Sequence, residues 1–457
     1  MPPAYDAIIV GAGFSGLFAG ALLAHRGKKV LLLERKSSVG GRAGCLEHKK
    51  HILDDGAHMP SEAGHVEKIF DMLGIRFPRL HRYPSGEVYL DGAWKPMKEV
   101  FPLEEVREAL HRISDMPWQE VDELYDVSVK DWYSKRSLAK GWELFWTYLA
   151  QIGDVGNRTE DLSMGELVHF FREHFQRGLR LNQIGGTLQG GLASLTEPLR
   201  EYVETHGGEI RLHTAVNDIV IEQGRAGGVE VEIGERLFPS HILDTEVIEA
   251  PLIVCTVPLW DLFKVLSEDA FPVWYRDWIH RLQKKVCHVW TVVCAVERPL
   301  WDVGVFKWSP KLPRTGTYGI FFQHQSYGDK ANEIQVNLCI QGGYDDLPDL
   351  SEWQWAKTRR DVRRVLDGLL EDAKEMIPGL AQARKWEVRT AAVYGLSESP
   401  GIAGRHRPPM VPPGVQNLYM VSDTVREARG VGIQASACAC LKLMEELSLA
   451  DRQVRPL

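Results

Sequence analysis

At 457 residues the chain is long enough for two or three domains, and 44% hydrophobic with 25% charged residues is ordinary for a globular protein with a large core. A net charge of −8 and the lack of any basic run exclude nucleic acid as an expected partner. The seven cysteines are odd in number and contain no Cys-x-x-Cys pair, which fits a reducing compartment with most thiols buried as small apolar residues.

The first fifty residues carry the densest signal. Asp6-Ala-Ile-Ile-Val10 reads as a buried strand, Gly11-Ala-Gly13-Phe14-Ser15-Gly16 as a glycine turn opening a helix, and Lys29-Val-Leu-Leu-Leu-Glu34 as a second strand closed by an acid. Each glycine has a task. Gly11 allows the tight turn, Gly13 lets backbone approach a pyrophosphate, and Gly16 lets the helix pack on the sheet. The helix start offers N–H groups and positive partial charge to phosphates, and Glu34 stands where a ribose hydroxyl needs an acceptor, followed by Arg35. Residues 7–24 are apolar enough to mimic a signal peptide. They lack a basic leader, and their turn carries three glycines that only the nucleotide reading explains.

Val39-Gly40-Gly41-Arg42-Ala43 follows at once, then Asp54-Asp55-Gly56-Ala57-His58. With these runs the chain resembles the FAD-binding amine oxidase and phytoene desaturase superfamily, and the Asp-Gly-Ala-His-Met run leans towards the phytoene-desaturase-like branch. The resemblance implies an α/β fold, α+β in its insertions. It implies a Rossmann-like FAD-binding domain with a discontinuous substrate domain of mixed sheet and helices. It also implies that Gly41 and Arg42 lie beside the pyrophosphate and that Gly56, Ala57 and His58 pass the flavin. His58 has two open readings: a residue that orients substrate or moves a proton, and a hydrogen-bonded pocket histidine.

Further along, a short helix is expected over Glu62–Leu73, short strands over 77–98, and helices over Leu103–Met116, Val121–Tyr133, Leu138–Ile152 and Met164–Phe175. Trp142, Phe145, Trp146, Tyr148, Phe170, Phe171 and Phe175 make this insertion aromatic. Core is their first reading, a substrate cavity the second and a membrane surface the third. A helix over Leu192–His206 and a strand over Glu209–Leu212 return the chain to the nucleotide domain. Alternating strands follow from Val216, with a turn expected at Gly227-Gly228. The resemblance makes Val216 the backbone contact to adenine and puts Thr256 near the pyrophosphate. A second insertion holds expected strands over Lys285–Glu297 and Glu333–Gln341 and a helix over Glu352–Ile377. Asn417–Val421 is a strand leading to Ser422-Asp423, and Arg429-Gly-Val-Gly432 opens a helix over Ile433–Leu447. By resemblance Asp423, Gly432 and Ile433 complete the flavin site. The family usually has glycine where Ser422 stands, and small residues where Thr424–Arg429 is charged.

The expected domains are 1–60, 185–260 and 386–457 for FAD, and 61–184 with 261–385 for substrate. No metal is expected: Glu166-x-x-His169 and Glu62-x-x-His65 lack supporting carboxylates, and the side chains of Cys438 and Cys440 diverge on a helix. Lys284 and Lys285 read as a surface pair. No second Gly-x-Gly-x-x-Gly follows a strand, so electrons are expected to leave to oxygen, a quinone or another acceptor, or the flavin to recycle without net redox change. Three functions follow from the resemblance. The first is hydride exchange with an apolar unsaturated substrate, isoprenoid or carotenoid-like, in desaturation, saturation or isomerisation. The second is a flavin amine oxidase. The third is a non-enzymatic prenyl- or lipid-binding protein. The expected compartment is the cytoplasm, with peripheral membrane contact left open.

Overall fold

The computed structural model describes residues 4–55, 59–60, 64–135, 141–152, 158–176, 185–233, 243–330, 332–343 and 356–454. Its organising sheet is parallel and five-stranded, in the order Leu418–Met420, Ile253–Cys255, Ala7–Val10, Val30–Leu33, Glu209–Arg211. Ala7–Val10 and Val30–Leu33 are buried at every position, which is why they read as unbroken apolar runs: helices cover both faces of a parallel sheet. Helix Phe14–His25 is buried from Phe14 to Ala24, and it packs on helix Ile433–Val454, where the Cys440 thiol meets the Ser15 carbonyl at 3.2 Å. The α/β class expected from the sequence is the one observed.

A second sheet of seven strands runs in the order Arg384–Leu396, Val286–Val296, Ile334–Gly343, Gly319–Gln325, Val305–Ser309, Ser85–Leu90, Ala93–Pro96. Period-two alternation splits its side chains. Trp290, Val292 and Cys294 face a core closed by helix Ala356–Met376. The other face carries Phe322, Trp308 and Cys339 into an aromatic core with the helices between Leu103 and Gln176. Trp142, Phe145, Trp146 and Phe171 are buried there, so core is the role the fold gives them. Trp290 and Trp308 of the second insertion are buried too, whereas Trp274 is 55% exposed.

Two expectations are corrected, and one expected boundary falls inside a strand. The turn placed at Gly227-Gly228 falls at Gln223-Gly224, where φ is +50° and +74°. Gly227 and Gly228 lie inside strand Arg225–Ile233, and a β-carbon on Gly228 would sit 2.7 Å from the Ile248 carbonyl of the neighbouring strand. The single helix expected over Val121–Tyr133 is two, Trp118–Leu124 and Val129–Ser134, because the Ser128 hydroxyl accepts the Asp131 N–H at 3.0 Å and starts a new helix. Strand Arg384–Leu396 pairs along its length with Val286–Val296 and so runs through the expected boundary at 385/386.

Candidate active site

The parallel sheet and the seven-stranded sheet enclose a cavity of about 590 Å³ between them. Its floor is two glycine turns packed back to back. Gly11 has φ +100°, and a β-carbon there would meet the Thr256 hydroxyl at 2.7 Å. The Gly40 N–H reaches the Ala12 carbonyl at 2.9 Å, and a β-carbon on Gly41 would lie 2.9 Å from the Gly13 α-carbon. The second glycine turn therefore seats directly on the first. Gly16 does not line the cavity. A β-carbon on it would fall 2.0 Å from the Gly11 carbonyl oxygen, so it sets how closely the helix meets the turn. Gly13, as N-cap, has no side chain to close the first turn, and Phe14 and Ser15 line the cavity there.

Glu34 is 5% exposed. Its two oxygens accept the backbone N–H groups of Ala12 and Lys36, each at 2.9 Å, which fixes the carboxylate at the cavity edge with further lone pairs to spare. Arg35, Thr214, Ala215 and Val216 line the same end. Lys36 reaches across to the Gly41 carbonyl at 2.9 Å, and burial raises the Asp55 carboxyl above its ordinary range while Lys36 opposes the rise.

At the other end Asp423, Gly432, Ile433 and Ser436 line the cavity where the last helix starts, opposite Val289 and Ala391–Tyr394 of the seven-stranded sheet. Arg42 is the cross-tie. Its guanidinium donates to the Tyr394 carbonyl and to the Asp423 carboxylate, and lies over the Trp260 ring at 5.0 Å. Ser422, where the family usually has glycine, is buried in a local turn: its hydroxyl bonds Thr424 Oγ1 at 2.6 Å, and the Thr424 hydroxyl in turn accepts the Leu259 N–H at 3.2 Å. The charged connection 424–429 folds back on backbone, with Arg426 donating to the Arg407 carbonyl at 3.1 Å and Glu427 accepting the Met410 N–H at 2.8 Å.

Of the residues singled out from sequence, Gly11, Gly13, Phe14, Ser15, Glu34, Arg35, Gly41, Arg42, Val216, Thr256, Asp423, Gly432 and Ile433 line this one cavity. Gly56, Ala57 and His58 lie outside the described residues, as does Glu62. Lys284 and Lys285 are exposed, and among the described residues no cluster of acids, histidines and cysteines has the grouping of a metal site. Trp260, Lys264, Val289 and Tyr394 were not anticipated. No local motif marks them, and only the pairing of distant strands brings them here.

The residues fit a dinucleotide with a flavin: an uncapped helix start, turns that side chains would fill, a fixed buried acid at one end and a second helix start at the other. The family model described as flavin containing amine oxidoreductase matches residues 14–436. A prolycopene isomerase from Daucus carota is 22% identical over 498 residues, covering 93% of this chain and 77% of that protein. A flavin-containing amine oxidase from Danio rerio is 33% identical over 101 residues, 22% of this chain and 19% of that one. Among solved structures, an oxidoreductase from Methanosarcina mazei superposes with a TM-score of 0.70 at 18% identity, over 96% of this chain and 99% of that one. Cyclohexylamine oxidase from Brevibacterium oxydans gives 0.63 at 18%, over 98% and 100%. At these identities the structural likeness speaks for the fold. The match over residues 14–436 goes further: this chain belongs to the flavin-containing amine oxidoreductase family and is an FAD-dependent oxidoreductase.

Proposed function

We propose that the enzyme exchanges a hydride between FAD and an apolar unsaturated substrate of isoprenoid or carotenoid type. The observation that carries this reading is the wall of the cavity opposite the last helix, made of Val289, Ala391, Ala392 and Val393, which offers apolar surface and no carboxylate. The likeness to a prolycopene isomerase over 93% of this chain supports it. On this reading Glu34 and Val216 hold the adenosine end, the two glycine turns and Thr256 hold the pyrophosphate, and Asp423, Gly432 and Ile433 hold the flavin. FAD when bound accepts or returns the hydride. The chain binds it, orients it and keeps water from it. A two-part organisation belongs to the same reading, with the FAD segments around the parallel sheet, the substrate segments around the seven-stranded sheet, and the last crossing after Leu396 rather than at 385. No helix among the described residues is long and apolar enough to cross a membrane.

Amine oxidation is the second reading, favoured by Tyr394 and Trp260, two aromatic residues in the cavity wall. It needs the uncharged amine beside the flavin, because an unpaired ammonium is costly to bury. Anaerobic mixing separates the two. Common amines should leave the flavin spectrum unchanged, whereas an apolar polyene presented in detergent or lipid should bleach the oxidised flavin or restore the reduced one. Rapid bleaching by a simple amine, with silence across the polyenes, would replace the first reading with the second.

Glu34→Ala tests the placement of the cofactor. The variant loses a charge-assisted acceptor for the ribose, worth about 1.5–3 kcal/mol, so FAD affinity should fall about tenfold to a hundredfold. Titration of the flavin-free protein with FAD, followed by flavin fluorescence, reads this directly. Affinity unchanged in this variant would mean that the adenosine lies elsewhere.

A further inference from the structure

Behind the Asp423 end of the cofactor cavity is a second cavity of about 20 Å³, roomy enough for one water molecule. Tyr394, Glu398 and Arg407 wall it on one side, and Asp423, Gly430 and Gly432 on the other. Glu398 and Arg407 are both buried. Arg407 donates one Nη to the Glu398 carboxylate and the other to the Asp423 carbonyl at 3.0 Å. A second buried acid, Glu166, stands on helix Met164–Gln176, which is tied to the same loop by the Ser163 N–H on the Glu398 carbonyl at 2.8 Å. Glu398 Oε2 and Glu166 Oε2 are buried without a hydrogen-bond partner among the described residues. The other charged or titratable groups acting on this pair are Arg429, which is partly buried, and the Tyr125 phenol beside Glu166. The Glu398 carboxyl is thus held against one buried guanidinium, with a second buried acid, Glu166, acting on it. Burial of Glu398 beside a second acid, with one carboxylate oxygen unpaired, favours its protonated form.

We propose that Glu398 is a proton store coupled to the charge on the cofactor. It takes up a proton from solvent when negative charge arrives at the start of helix Ile433–Val454 and gives it back when that charge leaves. Two electrons and one proton enter the flavin on reduction, supplied by the substrate or a chemical reductant, and one further proton binds Glu398. Glu398 is a positioning residue: it acts through the Asp423 backbone and the shared water-sized cavity. Burial pushes its carboxyl up to about 7, with Glu166 adding to the rise and Arg407 and Arg429 opposing it. The store therefore works near neutral pH. The inference rests on FAD lying in the large cavity as proposed above.

The test is the pH dependence of the reduction potential of the FAD-loaded full chain, titrated with a chemical reductant from pH 6 to 9. One proton per two electrons shifts the equilibrium tenfold per pH unit, about 30 mV. The parent should exceed that slope above about pH 7, approaching twice it, and Glu398→Gln should hold to the single-proton slope. A parent that keeps the single-proton slope throughout overturns the proposal whatever the variant does, as does a Glu398→Gln chain with the parent's steeper slope. A second readout needs no flavin. A glutamate whose folded pKa is raised destabilises the fold as pH climbs from its unfolded value, about 4.3, to about 7. The melting temperature of flavin-free Glu398→Gln should therefore gain on the parent between pH 5 and 8, and a constant gap would also overturn the proposal. If the chain takes no flavin, this coupling falls together with the cofactor placement. If flavin binds and the slope is flat, only the coupling falls.

Discussion

An Arg42→Ala chain should bind FAD more weakly than the parent, by at most about several thousandfold, and its flavin-free form should melt at a lower temperature. Arg42 joins three separate segments: its own glycine turn, the end of strand Arg384–Leu396 through the Tyr394 carbonyl, and Asp423 before the last helix. The Asp423 side chain is only 8% exposed. Removing the guanidinium leaves its carboxylate buried without that cation, and breaking one partner of such a pair costs about 2–5 kcal/mol. Part of that loss falls on the fold and part on the cofactor, because the same contact shapes the cavity wall. Asp423→Asn placed on top of Arg42→Ala removes the stranded charge and should recover part of the melting temperature. Fluorescence titration with FAD and thermal melting of the three chains measure both shares. An Arg42→Ala chain that binds FAD within twofold of the parent would show that the cross-tie does not shape the site.

That cross-tie also marks the limit of what the sequence alone discloses. The turn from Asp6 to Glu34 was legible because every signal in it is local: two buried strands, a helix period, glycines at fixed offsets and an acid at the strand end. The strand before Asp423 and the helix opened by Gly432 were legible for the same reason. Arg42 was placed in the site from the glycines beside it, but its partners could not be read, since Tyr394 and Asp423 lie 352 and 381 residues further on. Trp260 and Val289 were missed for the same cause: a strand or loop residue becomes a cavity wall only through pairings that sequence spacing does not encode. Two local errors had local remedies. Ser128 and Asp131 carry a helix-start signal, serine followed three residues later by an acid, that a continuous period over Val121–Tyr133 obscured. Gly227-Gly228 drew the turn because paired glycines usually mark one, whereas strand register placed it at Gln223-Gly224 and used Gly228 for close approach to a neighbouring strand. The boundary at 385/386 was set inside a strand, because a long strand gives no sign in its own composition of which sheet will take it.

Three alanine substitutions should separate the jobs that glycines do along the first helix, at its start, middle and end, with Gly16→Ala by far the most damaging. At Gly27, φ is +75° and nothing lies within 4 Å of a new β-carbon, so the cost is that of a left-handed backbone, about 1–2 kcal/mol. At Gly20 the new atom would meet the Leu32 side chain at 2.9 Å. A leucine tip can move, and the gain of about 0.5–1 kcal/mol from replacing a mid-helix glycine offsets much of the strain. At Gly16 the obstacle is the Gly11 carbonyl, 2.0 Å away, in a turn that cannot yield without unseating the strand behind it. Overpacking a core costs about 1–3 kcal/mol when side chains can adjust. Here backbone must move, so the loss should exceed that range. The displaced part is the start of helix Phe14–His25, whose Phe14 and Ser15 line the cavity, so retained flavin should fall together with melting temperature. Gly27→Ala should stay fully yellow. Absorbance of the purified chains, protein against flavin, gives the occupancy, and thermal melting gives the stability. A Gly16→Ala protein as stable and as yellow as Gly27→Ala would mean that the helix has room to shift along the sheet, and that close packing at Gly16 does not set the cofactor site.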